Sequence, residues 1–149
     1  MQNPPFRSPQ AKVADLYHLG RMLDKICLHL AGQLPDEYLP NFGRKFGLDG
    51  HLCGFLAVEF DSLCDRVRQG GTDEEIAEWC FHIGLRPNPT QRRIWNEFAR
   101  KFGWNDKAAA FIAATKAEDG LSHRAALLTA FDTMDFREGR SSESAGNAS

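Results

Sequence analysis

Residues 11–30, AKVADLYHLGRMLDKICLHL, hold the pattern that decides the fold. Their apolar residues recur every three or four positions, the spacing that places side chains on one face of an α-helix. Gly32 follows shortly afterwards, and glycine often ends a helix because it adopts positive φ without strain. We therefore predict a first helix from about Ala11 to Leu30. The residues assigned to its apolar face are Leu16, Leu19, Leu23, Ile26, Cys27 and Leu30.

The composition of the whole chain favours helices in the same way. Its 149 residues include 17 Ala and 15 Leu, but only 3 Val, 5 Ile and 5 Thr, the β-branched residues typical of strands. We predict an all-α fold, a single-domain bundle or orthogonal array of six to seven helices. Residues 1–10 are predicted to be a flexible N-terminal segment, residues 11–138 the helical domain and residues 139–149 a disordered tail.

Capping residues and glycines predict where the later helices begin and end. Thr72 and Glu75 have the spacing of a capping box, so a helix is predicted at 73–83. Gly50 and Gly54 lie in a short predicted helix and are expected to allow close packing there. The other predicted helices are 49–58, 61–69, 90–102, 106–119 and 122–136.

Charge and hydropathy exclude several classes of protein. The chain has 18 basic and 20 acidic residues, so no strong attraction to nucleic acid or to an anionic membrane is expected. It has no signal-peptide pattern and no run of 18 apolar residues, which indicates a cytoplasmic protein without a membrane span. Its four cysteines form no CxxC pair and are expected to be reduced thiols.

Five residues of the first predicted helix form the candidate binding site. His18, Arg21, Lys25 and His29 lie together on the side opposite the apolar face. Asp24 lies at the margin of the apolar face and needs a charged partner, which Arg21 can supply. This pair beside a cationic stripe predicts binding of an anionic small molecule, although the same spacing also fits a surface salt bridge on a solvated face. The favoured interpretation is a domain that binds a protein partner or such a molecule, in an undetermined oligomeric state.

A small enzyme is the alternative interpretation. Asp24 would act as its acid–base group, Arg21 and Lys25 would hold an anion, and His51 or His82 would reach the site from another helix. No phosphate-binding loop, HExxH or GxSxG motif is present. The catalytic residues and any cofactor therefore stay unassigned.

Weak nucleic-acid binding is a second alternative. Arg92, Arg93 and Arg100 lie on one predicted helix and are side chains of the type that contacts phosphates and base edges. Residues 49–84 carry 8 acidic against 2 basic residues, and this negative charge beside the arginines would oppose the phosphates. The sequence disfavours this alternative.

No metal site is predicted from the sequence. Cysteine and histidine two residues apart on a helix point in nearly opposite directions and cannot hold one ion. Asp132, Asp135 and Glu138 recur every three residues, but carboxylates near Arg137 and Arg140 more often pair with the arginines. The cysteine–histidine pairs are Cys27 with His29, His51 with Cys53, and Cys80 with His82.

The order of several segments resembles a bacterial family catalogued as domain of unknown function 5069. The resemblance covers roughly residues 7–140 and implies a small, single-domain, cytosolic helical protein. It implies no activity, cofactor or catalytic residue. The segments are LGRMLDKICLHLAGQLP (19–35), GLDGHLCGFLAV (47–58), GGTDEEIAEWC (70–80), RPNPTQRRIWNEFARKFGW (86–104) and FDTMDFREGR (131–140).

Overall fold

The computed structural model describes residues 5–140, and in that part of the chain every regular element is a helix. The predicted all-α fold is confirmed, with one short helix more than expected, in the Pro-rich segment after α1. Most of the predicted disordered tail, residues 141–149, lies outside the described residues. The elements are α1 (Leu19–Leu30), a 3₁₀ helix (Asp36–Asn41), α2 (Leu48–Leu56), α3 (Phe60–Arg68), α4 (Asp73–Ile83), α5 (Pro89–Lys101), α6 (Ala109–Glu118) and α7 (Ala130–Arg137).

Helix α1 begins eight residues later than the sequence predicted. Ala14, Asp15 and His18 have positive φ, which a right-handed helix does not allow. Val13 and Leu16 instead exchange backbone hydrogen bonds of 3.2 and 2.9 Å across a tight turn, with both side chains buried. Apolar residues three positions apart are compatible with this turn and with a helix, so the apolar pattern alone did not distinguish the two structures.

Helix α1 is buried along most of its length and forms the centre of the core. Its Leu19, Met22 and Ile26 belong to one buried cluster with apolar residues of α2 and α3, and α1 packs directly against α3. Helix α7 packs against α5 and α6. Cys27 and Leu30 were assigned to the apolar face but are exposed, because the last turn of α1 extends beyond the core.

The predicted capping box at α4 is confirmed. The Thr72 hydroxyl accepts a hydrogen bond of 3.1 Å from the Glu75 backbone, and the Glu75 carboxylate accepts one of 2.8 Å from the Thr72 backbone. The last helix, expected from residue 122, begins only at Ala130, where Thr129 caps it through the Asp132 backbone N–H. These caps set helix starts because they satisfy backbone donors that a helix leaves free.

The described part of the N-terminal segment packs onto the helical domain. Phe6 is 4% exposed and Pro9 is fully buried. The His18 backbone N–H donates a hydrogen bond of 2.8 Å to the Pro9 carbonyl. The packed unit therefore extends upstream of the boundary expected at residue 11.

The two glycines of α2 differ in a way that gives a stability prediction. A Cβ on Gly50 would lie 2.3 Å from the Arg44 carbonyl oxygen and 2.2 Å from that of Lys45, whereas a Cβ on Gly54 would meet nothing within 4 Å. The expected close packing is thus present at Gly50 and absent at Gly54. We expect Gly50→Ala to lower the free energy of unfolding by about 1–3 kcal/mol, because backbone must move.

The matched variant is Gly54→Ala, which we expect to raise the free energy of unfolding by about 0.5–1 kcal/mol, since alanine favours the helix. Urea denaturation of the two variants measures both effects. Equal changes in the two variants would show that the contact between α2 and residues 44–45 does not constrain the helix.

Candidate functional site

The cationic stripe predicted on the solvated face of α1 is mostly buried. His18, Arg21 and Lys25 are 1%, 2% and 5% exposed. His29 is exposed, at the end of the helix, where its ring stacks on Phe42 with the ring centroids 4.4 Å apart. The prediction of a solvated face was wrong because these three side chains are buried, and each has an acidic partner from a distant part of the chain.

Arg21 pairs with Glu138, which lies just beyond α7 and is itself buried. Its two terminal nitrogens donate hydrogen bonds of 2.8 and 2.7 Å to the two Glu138 carboxylate oxygens. The Tyr38 hydroxyl donates a third, of 2.8 Å, and Arg140 also pairs with Glu138. We call Arg21, Tyr38, Glu138 and Arg140 the terminal clasp, because they join α1 to the end of the described chain.

Asp24 pairs with Arg7 and not, as expected, with Arg21. The Arg7 guanidinium donates two hydrogen bonds of 2.9 Å to the Asp24 carboxylate, and it also reaches Asp73 of α4 at 2.8 Å. The three residues of the enzyme alternative thus point to different partners: Asp24 to Arg7, Arg21 to Glu138, and Lys25 to Asp49. This arrangement does not support one acid–base site built from them.

Lys25 and His18 meet at a buried carboxylate, that of Asp49 in α2. The Lys25 ammonium lies 2.8 Å from Asp49 Oδ2, and His18 Nε2 lies 2.7 Å from Asp49 Oδ1. The backbone N–H of Gly43 donates a further hydrogen bond of 2.9 Å to Oδ2. We call His18, Lys25 and Asp49 the Asp49 triad.

The charge states of the Asp49 triad follow from burial and from these contacts. Burial lowers the pKa of the His18 imidazole to about 4, against the opposing effect of the Asp49 hydrogen bond. Burial also raises the pKa of the Asp49 carboxyl, but the charge of Lys25 and the His18 hydrogen bond outweigh it and hold that pKa well below its ordinary value. At neutral pH Asp49 is therefore ionised and His18 is neutral.

The triad lies on the wall of a cavity of about 560 Å³. This volume is within the range of about 300–1,000 Å³ that small-molecule sites occupy. The helices α1, α2, α5, α6 and α7 and the loops before α2 and α6 supply the lining. Its apolar wall consists of Phe46, Leu48, Phe98, Phe102, Ala108, Phe111, Ile112, Ala130 and Met134.

Cations and exposed aromatic rings line the outer part of the cavity. Arg44 and Lys107 are exposed and line it, and the Arg44 guanidinium lies 4.5 Å from the centre of the Phe111 ring. Asp106 also lines it, but its carboxylate already accepts hydrogen bonds from the backbone of Gly103 and Ala108. We call Arg44, Phe46, Phe98, Asp106, Lys107 and Phe111 the rim.

Neither Asp49 nor the rim was predicted from the sequence. The one signal for the rim was the pair of basic residues Arg44 and Lys45 directly before Phe46, in a loop bounded by Gly43 and Gly47. Asp49 lay in a predicted helix, and no local pattern indicated its partners, Lys25 of α1 and His18 just before α1, which are 24 and 31 residues earlier.

The other histidines of the sequence analysis lie apart from one another. His51 lines the cavity and makes edge-to-face contacts with Phe98 and Phe102, both with centroids 5.4 Å away. His82 lies at a shallow groove beside α4 that is separate from the cavity. Among residues 5–140 no three His, Cys, Asp or Glu side chains are grouped to hold a metal ion.

Asp135 and Glu138 both pair with Arg140, which confirms the expected carboxylate–arginine pairing. Cys80 is fully buried in the core. The four cysteines are free thiols.

The arginines of the nucleic-acid alternative are divided among different roles. Arg100 pairs with Glu97 at 2.9 Å, Arg92 lies over the Phe81 ring, and Arg93 is exposed. Binding of nucleic acid through these residues stays an untested alternative.

The fold and the cavity define a small all-helical protein with a charged triad on the wall of an aromatic-lined cavity. Within the described residues no helix is both long enough and apolar enough to cross a membrane. The chain belongs to the family described as domain of unknown function (DUF5069), whose sequence model matches residues 3–140, so the predicted resemblance is confirmed. No curated protein matches the chain.

Proposed function

We propose that this protein binds a small molecule with an anionic group and an apolar body, in the cavity lined by the Asp49 triad and the rim. The observation that carries the proposal is a cavity of ligand size whose wall combines aromatic rings with buried and exposed cations. Such a lining suits an apolar ligand body that is oriented by a few polar contacts.

Arg44 and Lys107 are the residues we assign to the anionic group. Lys25 already has an ionised carboxylate at 2.8 Å, so its charge is compensated within the protein. The one acidic group of the rim, Asp106, is engaged by backbone N–H groups. The rim therefore favours an anion, and Arg44 can hold a carboxylate or phosphate through two parallel hydrogen bonds.

Phenylacetate and phenethylamine test this proposal, because they share an aromatic ring and differ in the sign of their charge. We expect phenylacetate to bind with a Kd of about 1 mM, as its small size allows, and phenethylamine not to bind. Amide and methyl NMR shifts of cavity residues measure the binding. The double variant Arg44→Gln/Lys107→Gln is expected to weaken phenylacetate binding about tenfold.

The control for the loss of positive charge is Arg93→Gln, since Arg93 is exposed on α5 and does not line the cavity. It is expected to bind phenylacetate as the wild type does. Equal binding of the acid and the amine, or an unchanged affinity in the double variant, would contradict the proposal.

A protein partner is the second candidate, favoured by the exposed rings of the rim. Phe46 is 68% exposed, and Phe98 and Phe111 are each 41% exposed. Exposed aromatic residues beside an arginine are typical of the centre of an interface. Two results together would favour this candidate. Phenylacetate would cause no change in the NMR shifts of cavity residues, and a binding partner would slow the tumbling of the wild-type protein but not that of Phe46→Ser.

A further inference from the structure

We infer that the ligand of this cavity carries a hydroxyl or N–H donor in addition to its anionic group, and that His18 Nδ1 accepts a hydrogen bond from that donor. The inference rests on the proposed function and specifies the chemistry of its ligand. It starts from one unpartnered atom. His18 Nδ1 is buried, and among the described residues it has no hydrogen-bond partner, although His18 lines the cavity.

The other ring nitrogen of His18 determines what Nδ1 can do. Asp49 is ionised and can only accept, so His18 Nε2, at 2.7 Å from its carboxylate, must carry the proton. The other two partners of that carboxylate, Lys25 Nζ and the Gly43 backbone N–H, are donors as well. Nδ1 of the neutral ring is therefore an acceptor.

At neutral pH Nδ1 does not carry a proton. Burial disfavours the charged ring, and the nearby charges of Lys25 and Arg21 disfavour it further. Neither of those two cations donates to Nδ1 in the structure. Lys25 Nζ contacts Asp49, and the two terminal nitrogens of Arg21 contact Glu138. The neutral His18 ring can thus accept a hydrogen bond at Nδ1, but it has no positive charge with which to attract an anion.

The lining of the cavity consequently places two different requirements on a ligand. The cations Arg44 and Lys107 of the rim favour an anionic group, whereas Nδ1 requires a neutral donor, and aromatic rings line the same cavity. A buried acceptor without a partner is costly, so a ligand that satisfies it gains affinity over one that does not. The ligand class that meets both requirements is an organic acid with an apolar body and a hydroxyl or neutral N–H donor.

Three acids of similar size test the inference: phenylacetate, 4-hydroxyphenylacetate and 4-methoxyphenylacetate. Only the hydroxyl compound can donate to Nδ1, and the methoxy compound controls for the added bulk and polarity. We expect 4-hydroxyphenylacetate to bind about 5–10 times more tightly than either of the others. Titration followed by NMR gives the three dissociation constants.

Nitrogen-15 NMR of the histidine rings tests the same contact in the wild-type protein. At pH 7 the free protein is expected to show His18 as the neutral tautomer with the proton on Nε2. The Nδ1 resonance should then move to lower frequency when 4-hydroxyphenylacetate is added, and remain in place with phenylacetate. A protonated Nδ1 in the free protein would overturn the inference.

The variant His18→Gln removes Nδ1 and keeps an amide N–H that can donate to Asp49, while its carbonyl oxygen takes a different position from the ring nitrogen. We expect the preference for 4-hydroxyphenylacetate over phenylacetate to disappear in it. His82→Gln is the control for the substitution, because His82 lies outside the cavity, and it should retain the preference. If His18→Gln does not fold, the wild-type nitrogen-15 experiment decides the question.

The outcomes separate this inference from the proposed function. Equal affinity for all three acids overturns the inference and leaves binding of an anionic molecule in place. Equal affinity of the hydroxyl and methoxy compounds, both tighter than phenylacetate, also overturns it. Failure of all three acids to bind overturns both proposals.

Discussion

Replacement of Glu138 by glutamine is expected to lower the free energy of unfolding by about 3–5 kcal/mol. The substitution preserves shape but removes the negative charge that Arg21 contacts at 2.8 and 2.7 Å in a buried position. Arg21 cannot lose its proton, so it would remain as a buried cation facing a neutral amide. Arg140 would lose part of its compensation at the same time. Chemical denaturation measures the loss.

Glu97→Gln is the matched control for this prediction. Glu97 pairs with Arg100 and Lys101 on the surface of α5, and its side chain is half exposed. The same substitution of Glu by Gln is expected to lower the free energy of unfolding by at most about 1 kcal/mol at this exposed position, because water solvates the remaining charges. Similar losses in the two variants would show that the terminal clasp contributes no more than a surface ion pair.

Replacement of Asp49 by asparagine is the second change with a large expected effect, again about 3–5 kcal/mol. The Asp49 carboxylate accepts hydrogen bonds from Lys25, His18 and the Gly43 backbone, and a carboxamide cannot accept all three in the same way. Lys25 would remain buried without a counter-ion. Urea denaturation at neutral pH measures the effect.

A double-mutant cycle tests the cause of this loss. Lys25→Met removes the buried charge, so the double variant Lys25→Met/Asp49→Asn should lose less stability than the sum of the two single variants. The surface control is Asp65→Asn, whose partner Arg68 is exposed, with an expected cost of at most about 1 kcal/mol. Additive losses in the cycle would contradict a direct charge interaction in the Asp49 triad.

Local signals predicted the parts of the fold that depend on neighbouring residues. The capping box at Thr72 and Glu75 set the start of α4, because its two hydrogen bonds join residues three positions apart. The start of α1 was predicted too early, since the spacing of Val13 and Leu16 suits either a helix or a turn. His18 has positive φ directly before α1, and no residue type around it indicated this conformation.

The candidate site was predicted only in part. His18 and Lys25 were selected for their charge and helical spacing, and both line the cavity. Arg21 and Asp24 were expected to pair with each other but have other partners, Glu138 and Arg7. The error arose because helical periodicity assigns a polar stripe to solvent, whereas folding can also bury a cation where it supplies a carboxylate partner.

Composition and local patterns were sufficient to determine an all-α chain and the limits of several helices, since these depend on backbone preferences and short-range hydrogen bonds. The order of the sequence segments was sufficient for the family resemblance. The tertiary structure decided which face of α1 is solvated, how Asp49 joins His18 to Lys25, and that a cavity lies beside them. Those features depend on pairs far apart in the chain, such as Arg21 with Glu138, 117 residues apart. The physical reason is the cost of burying a charge alone, which only a partner brought close by folding can offset.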